Sequence, residues 1–511
     1  MKAKFYVTTP IYYVNGAPHI GHAYSSVAAD VLARWKRLEG HDVFFLTGTD
    51  EHGQKVEKAA QDAGLAPQEF ADRVSVQFQG LSTLMGLSND DFIRTTEDRH
   101  KRACQALWRR LQESGDIYLG HYEGFYAVRD EAFYGEDELV TRPDGTRVGP
   151  TGAPVEWVRE PSYFFRLSAW QDRLLALYES QSDFISPASR RSEVLSFVRG
   201  GLRDLSVSRT SFAWGVPVPD DPSHVMYVWL DALTNYLSAV GFPDTEAPRW
   251  PFWPADVHVV GKDIIRFHAV YWPAFLMAAG LPVPRCVFSN GWWTADGEKI
   301  SKSLGNAVDA DRLVATFGLD PVRYFLLREV PFGNDGDYSD AALIRRLNVE
   351  LANDLGNLAQ RTLSQVAKNC GSVLPTRGTD SVQDRALLDA AAALPQTVAD
   401  RLERLAFHDA LEDVWKVIRA ANAYIDHQAP WALRKTDPER MEAVLSVLIE
   451  VIRGIATVLQ PFMPGSMAAM LDQVGAPVDA RGLNDLLTPL PPGLRLPPPE
   501  GVFPRYVSAA G

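Results

Sequence analysis

Cysteine is scarce: the 511 residues contain three, Cys104, Cys286 and Cys370, scattered and without a C-x-x-C pair. That excludes a fold built on disulfides and leaves reduced thiols in a cytoplasmic protein as the expectation. Long apolar runs are missing too, since none approaches the roughly 20 residues that span a bilayer, so no membrane partner is expected. Lys2 to Tyr13 mixes β-formers, threonines and a proline where a secretion signal would have an apolar core, and reads as a first strand. No G-x-G-x-x-G opens the first helix, which argues against hydride transfer from a dinucleotide. Positive charge is also short. Lys and Arg number 51 against 64 Asp and Glu, a net charge of −13, which opposes a non-specific polyanion binder. Arginines nevertheless gather locally at Arg190, Arg191, Arg199, Arg203 and Arg209, and again at Arg345 and Arg346.

What is present is the composition of a soluble enzyme, 46% hydrophobic and 23% charged. The length suits about three domains. The first part alternates strands and helices (Phe5–Thr9, Ala23–Leu38, Asp42–Leu46, then helix from Lys55), a parallel α/β rhythm. From about Gly120 it gives way to short β-rich pieces with turns such as Arg142-Pro143-Asp144-Gly145, and it resumes near Val225 with a buried strand Val257–Val260 and a helix Ile264–Ala279. Beyond about Ala341 apolar residues recur at helical spacing, as in Leu351-Leu355-Leu358 and Val444-Leu448-Val451. The expected architecture is a Rossmann-like catalytic domain split by a small β-rich insertion, followed by an all-α bundle. Its expected divisions are 1–118 and 225–294 for the two catalytic halves, 119–224 for the insertion, 295–344 for a lysine-loop and stem-contact region, 345–485 for the bundle, and 486–511 for a Pro-rich tail.

Two segments carry most of the chemistry. Pro18-His19-Ile20-Gly21-His22 sets imidazoles around a glycine at a strand-to-helix junction, where unpaired N–H groups and the positive helix end attract phosphate. Lys299-Ile300-Ser301-Lys302-Ser303, between Gly297 and Gly305, offers lysines on a loop able to close over a triphosphate. Chemistry at a nucleoside triphosphate, where charge gathers on the phosphoryl groups, needs positioned donors and cations at both the reacting and the departing phosphate. His19, His22, Lys299 and Lys302 suit that task, and Gly21 leaves room for close approach of the nucleotide. Gly261-Lys262-Asp263 follows a buried strand, so Asp263 could bond ribose hydroxyls or serve as a helix N-cap.

This pair of motifs, in this order, resembles the class I aminoacyl-tRNA synthetases, and four further segments narrow the likeness to their methionyl branch: Thr9-Pro10-Ile11-Tyr12-Tyr13-Val14-Asn15-Gly16, Thr47-Gly48-Thr49-Asp50-Glu51-His52-Gly53, Tyr227-Val228-Trp229-Leu230-Asp231-Ala232 and Gly261 through His268. The resemblance covers about Lys4 to Arg505. It implies ATP, with Mg²⁺, bound by Pro18, His19, Gly21, His22, Gly261, Asp263, Lys299, Ser301, Lys302 and Ser303. It implies a methionine site of Ile11, Tyr13, Asp50, Arg209, Trp229, Ala232, Leu233, Tyr236, Phe267 and His268, with Asp50 on the ammonium group and aromatic walls that suit a polarizable thioether. In the bundle, Asn357 and Arg361 with Pro430 and Trp431 match the segments that read the anticodon of tRNA(Met), initiator and elongator.

The insertion departs from relatives that carry a zinc knuckle. Ala127 and Asp130 stand at two cysteine positions and the second pair is missing from Thr141 to Val155, so no structural zinc is expected. Ile300 replaces the commoner methionine of the lysine loop. The fusion domain of dimeric relatives is missing, and a monomer is expected. Rival readings are a class I synthetase for another amino acid, a small nucleotidylyltransferase, and an inactive tRNA-binding protein. The pocket segments, the helical third and the intact motif histidines and lysines oppose them in turn.

Overall fold

The computed structural model describes residues 2–130, 132–295, 298–299 and 308–507; Ser301, Lys302 and Ser303 of the lysine loop lie outside these, and Lys299 is described only as backbone of the short strand Glu298–Lys299. Six strands form a wholly parallel sheet: β1 (Lys4–Tyr13), β2 (Asp42–Asp50), β3 (Asp91–Arg94), β4 (Ile185–Ser186), β5 (Val257–Gly261) and β6 (Cys286–Asn290), in the order 3-2-1-5-6-4. Valine, phenylalanine and leucine dominate β2 because both faces are covered, as parallel sheets require. Pro10 has no N–H to give the ladder, and the β1–β2 register shifts between Thr8 and Ile11, which re-aims the end of β1. At Gly48 a β-carbon would lie 2.0 Å from the Ile93 carbonyl oxygen, so β2 and β3 meet this closely only with glycine there.

The crossover helices α1 (Ile20–Leu38), α2 (Gln54–Asp62), α3 (Pro67–Leu84) and α4 (Asp98–Glu113) follow the first two strands and β3, and α5 (Val228–Ser238) leads back to the sheet after the insertion. Two features differ from the sequence expectation. The insertion is not only β-rich. Its antiparallel sheet (Ile117–Ala127 paired with Glu156–Phe165) is followed by helices Gln171–Ser180 and Ala188–Arg199, and between them β4 pairs with β6 in the main sheet. Two residues cannot display a strand period, so nothing in the sequence marks β4. The helix expected over Ile264–Ala279 is continuous but irregular. A 3₁₀ turn (Lys262–Ile264) and a π turn (Phe267–Tyr271) precede a short helix Trp272–Ala278, because Pro273 at its first turn supplies no N–H.

The C-terminal helices, among them α6 (Leu319–Arg328), α7 (Phe407–Gln428) and α8 (Pro438–Leu459), share one continuous core with α1, running from Val27, Val31 and Trp35 through Leu326 to Ile452 and on to Leu496 and Phe503 near the C-terminus. Arg323 of α6 is fully buried where the domains meet. It donates to Asp30 of α1 (2.7 Å) and to the carbonyls of Met85 (2.9 Å), Pro461 (2.9 Å) and Phe462 (3.0 Å), so every partner is satisfied despite desolvation. Among the described residues no helix is long and apolar enough to cross a membrane.

Candidate active site

Strand order reverses between β1 and β5, and the crevice outside the carboxyl ends of the strands at such a point is where open parallel sheets bind ligands. A cleft of about 430 Å³ opens there. Tyr13, Asp50, Gly261 and Asn290 line it from the ends of β1, β2, β5 and β6, and α1 and α5 close its sides. Of the residues named from sequence, Ile11, Tyr13, His19, Gly21, His22, Asp50, Trp229, Ala232, Leu233, Tyr236, Gly261, Asp263 and His268 face this one cleft.

The histidine pair is held by the helix it begins. His19 is the N-cap of α1, its Nδ1 accepting from the Gly21 N–H (3.1 Å), while Nδ1 of His22 accepts from the His19 N–H (3.1 Å). This reciprocal cap satisfies two orphan donors of the first turn. It also fixes both tautomers: each Nδ1 is a bare acceptor, so the proton of each neutral ring sits on Nε2. The rings lie 3.9 Å apart. Gly21 serves the histidine as much as any ligand, since a β-carbon there would come within 2.9 Å of the His19 ring. Pro18 precedes the cap and is not part of the cleft wall.

On the opposite side Trp229 stacks on Phe267 at 3.7 Å between centroids and 7° between planes, so Phe267 supports the wall from behind. Tyr236 is buried with its hydroxyl 2.8 Å from Nε2 of His268, whose Nδ1 lies 3.0 Å from the Ile264 carbonyl. A carbonyl only accepts, so Nδ1 carries the proton and Nε2 takes the Tyr236 hydrogen. The pocket thus presents aromatic surface, and the phenol hydrogen is already committed. Burial lowers the His268 pKa from 6.5 to about 4. His258, fully buried behind it and bonded to Thr8 (2.7 Å), is likewise held well below the usual imidazole range by burial, with the neighbouring His268 adding to it.

The folded state keeps His268 neutral down to about pH 4, whereas the unfolded chain binds that proton near 6.5, so acid favours unfolding across this interval and has no such effect above it. His268 alone is expected to remove about 3 kcal/mol between pH 6.5 and 4. Urea midpoints should be level from pH 7 to 8 and fall toward pH 5, and His268→Gln should flatten that slope.

Other residues are placed differently from the sequence reading. Asp263 lies inside its 3₁₀ turn, where its Oδ1 accepts from Trp292 Nε1 (3.2 Å); the N-cap position is Gly261. Arg209 does not line the cleft. It is buried at the base of the insertion, donating to Ser206 Oγ and the Ser208 carbonyl (both 2.7 Å) with its guanidinium 4.6 Å from the Tyr227 ring centre, and Tyr227 is the N-cap residue of α5. Sequence reasoning missed Lys55, Asn290 and Asp130 of the lining. Lys55 carried a signal, three residues after His52 in a quoted motif. Asp130, at an expected cysteine position, accepts from Tyr134 (2.9 Å) and Thr151, and burial, reinforced by the Asp130 contact, pushes the Tyr134 phenol up to about 12. Ala127 is buried at the end of its strand. Among the described residues, the one group compact enough to hold a metal through His, Cys or carboxylate atoms is elsewhere, the buried His100, Cys104 and Asp231.

In the helical domain Asn357 and Arg361 lie one turn apart on the helix Asn357–Asn369, and the Arg361 guanidinium sits 5.5 Å from the centre of the Trp431 ring. Helix α7 stops at Ala429, left-handed at φ 45°, and the next helix starts at the buried Pro430. That turn leaves Trp431 45% exposed, the only tryptophan besides Trp157 in the insertion among the exposed large apolar side chains of the described residues.

Comparison with known proteins matches this layout. Residues 5–363 fit the family described as tRNA synthetases class I (M), and 374–509 fit the anticodon binding domain of methionyl tRNA ligase. A methionine–tRNA ligase of Mesorhizobium japonicum is 56% identical over 512 residues, spanning 100% of this chain and 99% of that protein; one from Brucella suis is 55% identical, spanning 99% of each. A Mycobacterium tuberculosis methionyl-tRNA synthetase in complex with methionyl-adenylate superposes with a TM-score of 0.96 at 53% identity, covering 98% of this chain and 100% of that one. With a six-stranded parallel catalytic sheet, a helical C-terminal domain and full-length relatives at this identity, the chain belongs to the methionine–tRNA ligase family of class I tRNA synthetases.

Proposed function

We propose that the protein activates L-methionine with ATP to methionyl-adenylate and pyrophosphate, then transfers the methionyl group to the 3′-terminal adenosine of tRNA(Met), initiator and elongator alike. One observation carries this reading: a buried carboxylate, Asp50, and the cage of Trp229, Tyr236 and His268 open into the same cleft as the histidine-capped start of α1. Asp50 holds the substrate ammonium, and the aromatic walls take the thioether. The methionine carboxylate attacks the α-phosphorus while the bond to the β-phosphate breaks, and the Nε2–H groups of His19 and His22 stabilise the charge that gathers between them. Gly261 and Asp263 meet the nucleoside. Ser301, Ser303 and the lysines Lys299 and Lys302 act on the departing pyrophosphate by the logic of their motif. Mg²⁺ arrives with ATP as the counter-ion of its phosphates.

Three further parts of the proposal concern the setting. The insertion is held without zinc by contacts such as those of Asp130 with Tyr134 and Thr151. The enzyme works as a monomer in the cytoplasm. Homocysteine, which lacks one methyl group, is activated and then cyclised in the same pocket, because a single methylene discriminates by only about 1–3 kcal/mol. Amino-acid-dependent ATP–pyrophosphate exchange tests the central claim: exchange confined chiefly to methionine supports it, and silence with all twenty amino acids refutes it.

Asn357, Arg361 and Trp431 are assigned to the anticodon, with Trp431 as a stacking platform. Base–aromatic stacking is worth about 1–3 kcal/mol per base. Trp431→Ala should therefore lower kcat/KM for tRNA by roughly ten- to a hundredfold and leave exchange within a factor of two, as steady-state aminoacylation and exchange assays will show. Equal loss of both activities contradicts the assignment.

A further inference from the structure

Asp231 is buried inside α5 and never faces the cleft, yet it joins the two halves of the catalytic domain. Its Oδ2 lies 2.7 Å from Nδ1 of His52 and its Oδ1 lies 2.7 Å from Nε2 of His100 on α4. A carboxylate only accepts, so both imidazoles donate to it. Two buried imidazoles hold the Asp231 carboxyl well below the usual carboxylate range against the opposing effect of burial. His52 stands two residues after Asp50, on a loop pinned from its other sides: Trp214 donates to the Glu51 carbonyl (2.6 Å) and accepts from the Gly53 N–H (2.9 Å), and Thr95 accepts from the Glu51 N–H (2.9 Å). The carboxylate of Glu51 takes both ends of Arg94 (2.7 and 2.9 Å). Asp231 itself stands two residues after Trp229 and immediately before Ala232 and Leu233. The ammonium anchor and the side-chain wall therefore come from segments about 180 residues apart, and the bond between His52 and Asp231 spans 179 of them.

We propose that Asp231 and His52 are positioning residues for the amino-acid site, setting the distance between Asp50 and the α5 wall without touching substrate. This rests on the reading of the cleft as a methionine site. Chain connectivity cannot set that distance, because the whole insertion intervenes. The clamp is a buried charge-assisted pair, where one lost contact displaces a binding geometry that tolerates little error. His100 contributes differently: it ties Asp231 to α4, which bears no residue of the cleft lining. Cutting either link destabilises the fold, but cutting only the His52 link moves Asp50 relative to the wall.

The test is ATP–pyrophosphate exchange by wild type, Asp231→Asn, His52→Ala, His52→Asn and His100→Asn, with KM for methionine and for ATP measured separately. Wild type comes first, and its failure to exchange with methionine refutes the underlying reading. Given wild-type activity, Asp231→Asn and His52→Ala should raise the methionine KM about tenfold or more and leave the ATP KM within twofold. His52→Asn, which keeps an N–H near the lost Nδ1, should restore part of that loss. His100→Asn should lower the unfolding midpoint and leave the methionine KM within twofold. A methionine KM unmoved in His52→Ala, or raised equally in His100→Asn, overturns the positioning role. Should Asp231→Asn not fold, the His52 pair decides alone.

Discussion

Asp50→Ala should raise the methionine KM in ATP–pyrophosphate exchange by roughly two to three powers of ten while leaving the KM for ATP nearly unchanged. Asp50 ends β2 and is only 7% exposed, so a substrate ammonium bound there gives up most of its hydration and depends on the carboxylate to replace it. Removing one partner of such a buried charge pair costs about 3–5 kcal/mol. The neighbours on either side are independently fixed: Thr49 donates to Glu51 (2.6 Å), and Glu51 is held by Arg94 and Thr96. The loop therefore stays in place when Asp50 is truncated, and the loss belongs to the missing charge. Asp50→Asn keeps an acceptor of the same shape without the charge, so it should fall between wild type and Asp50→Ala. Equal rises in both KM values would mean that the cleft had been disassembled, and would remove Asp50 from the ammonium role.

What was legible in the sequence follows from where the physics is local. A parallel sheet covered on both faces writes itself as apolar runs, and β2 and β5 were visible for that reason while β1 showed through its β-formers, although β2 extends to Asp50 and α1 starts at Ile20. Motif residues at strand ends were legible because chemistry and chain position coincide, and most of them meet in one cleft. Contacts that depend on distant segments were not. β4 is two residues placed by β6, the π turn at Phe267–Tyr271 depends on Pro273, and Arg209 packs against Tyr227 outside the cleft. Asp231 and His52 both stood in quoted motifs, but a pairing across 179 residues leaves no trace in local spacing.

The histidine pair yields the second large effect, because its two nitrogens can be separated by substitution. Nδ1 of His22 is spent on the α1 cap, so the group this ring turns to a phosphoryl oxygen is Nε2–H. Asparagine places its amide near Nδ1, and glutamine places its amide near Nε2. His22→Asn should keep the cap and a nearly wild-type unfolding midpoint while losing the outward donor, with kcat for exchange falling by about 10²- to 10³-fold, the usual cost of removing one donor to a developing oxyanion. His22→Gln should keep much more activity, with an unfolding midpoint at or slightly below that of wild type, because glutamine at this third helical position can still accept the cap N–H. The opposite ranking, an active His22→Asn beside an inactive His22→Gln, would mean that the imidazole matters through the cap alone. In that case the phosphate charge would be carried by the backbone N–H groups of α1 and by the lysine loop, with the histidines holding the helix end open for it.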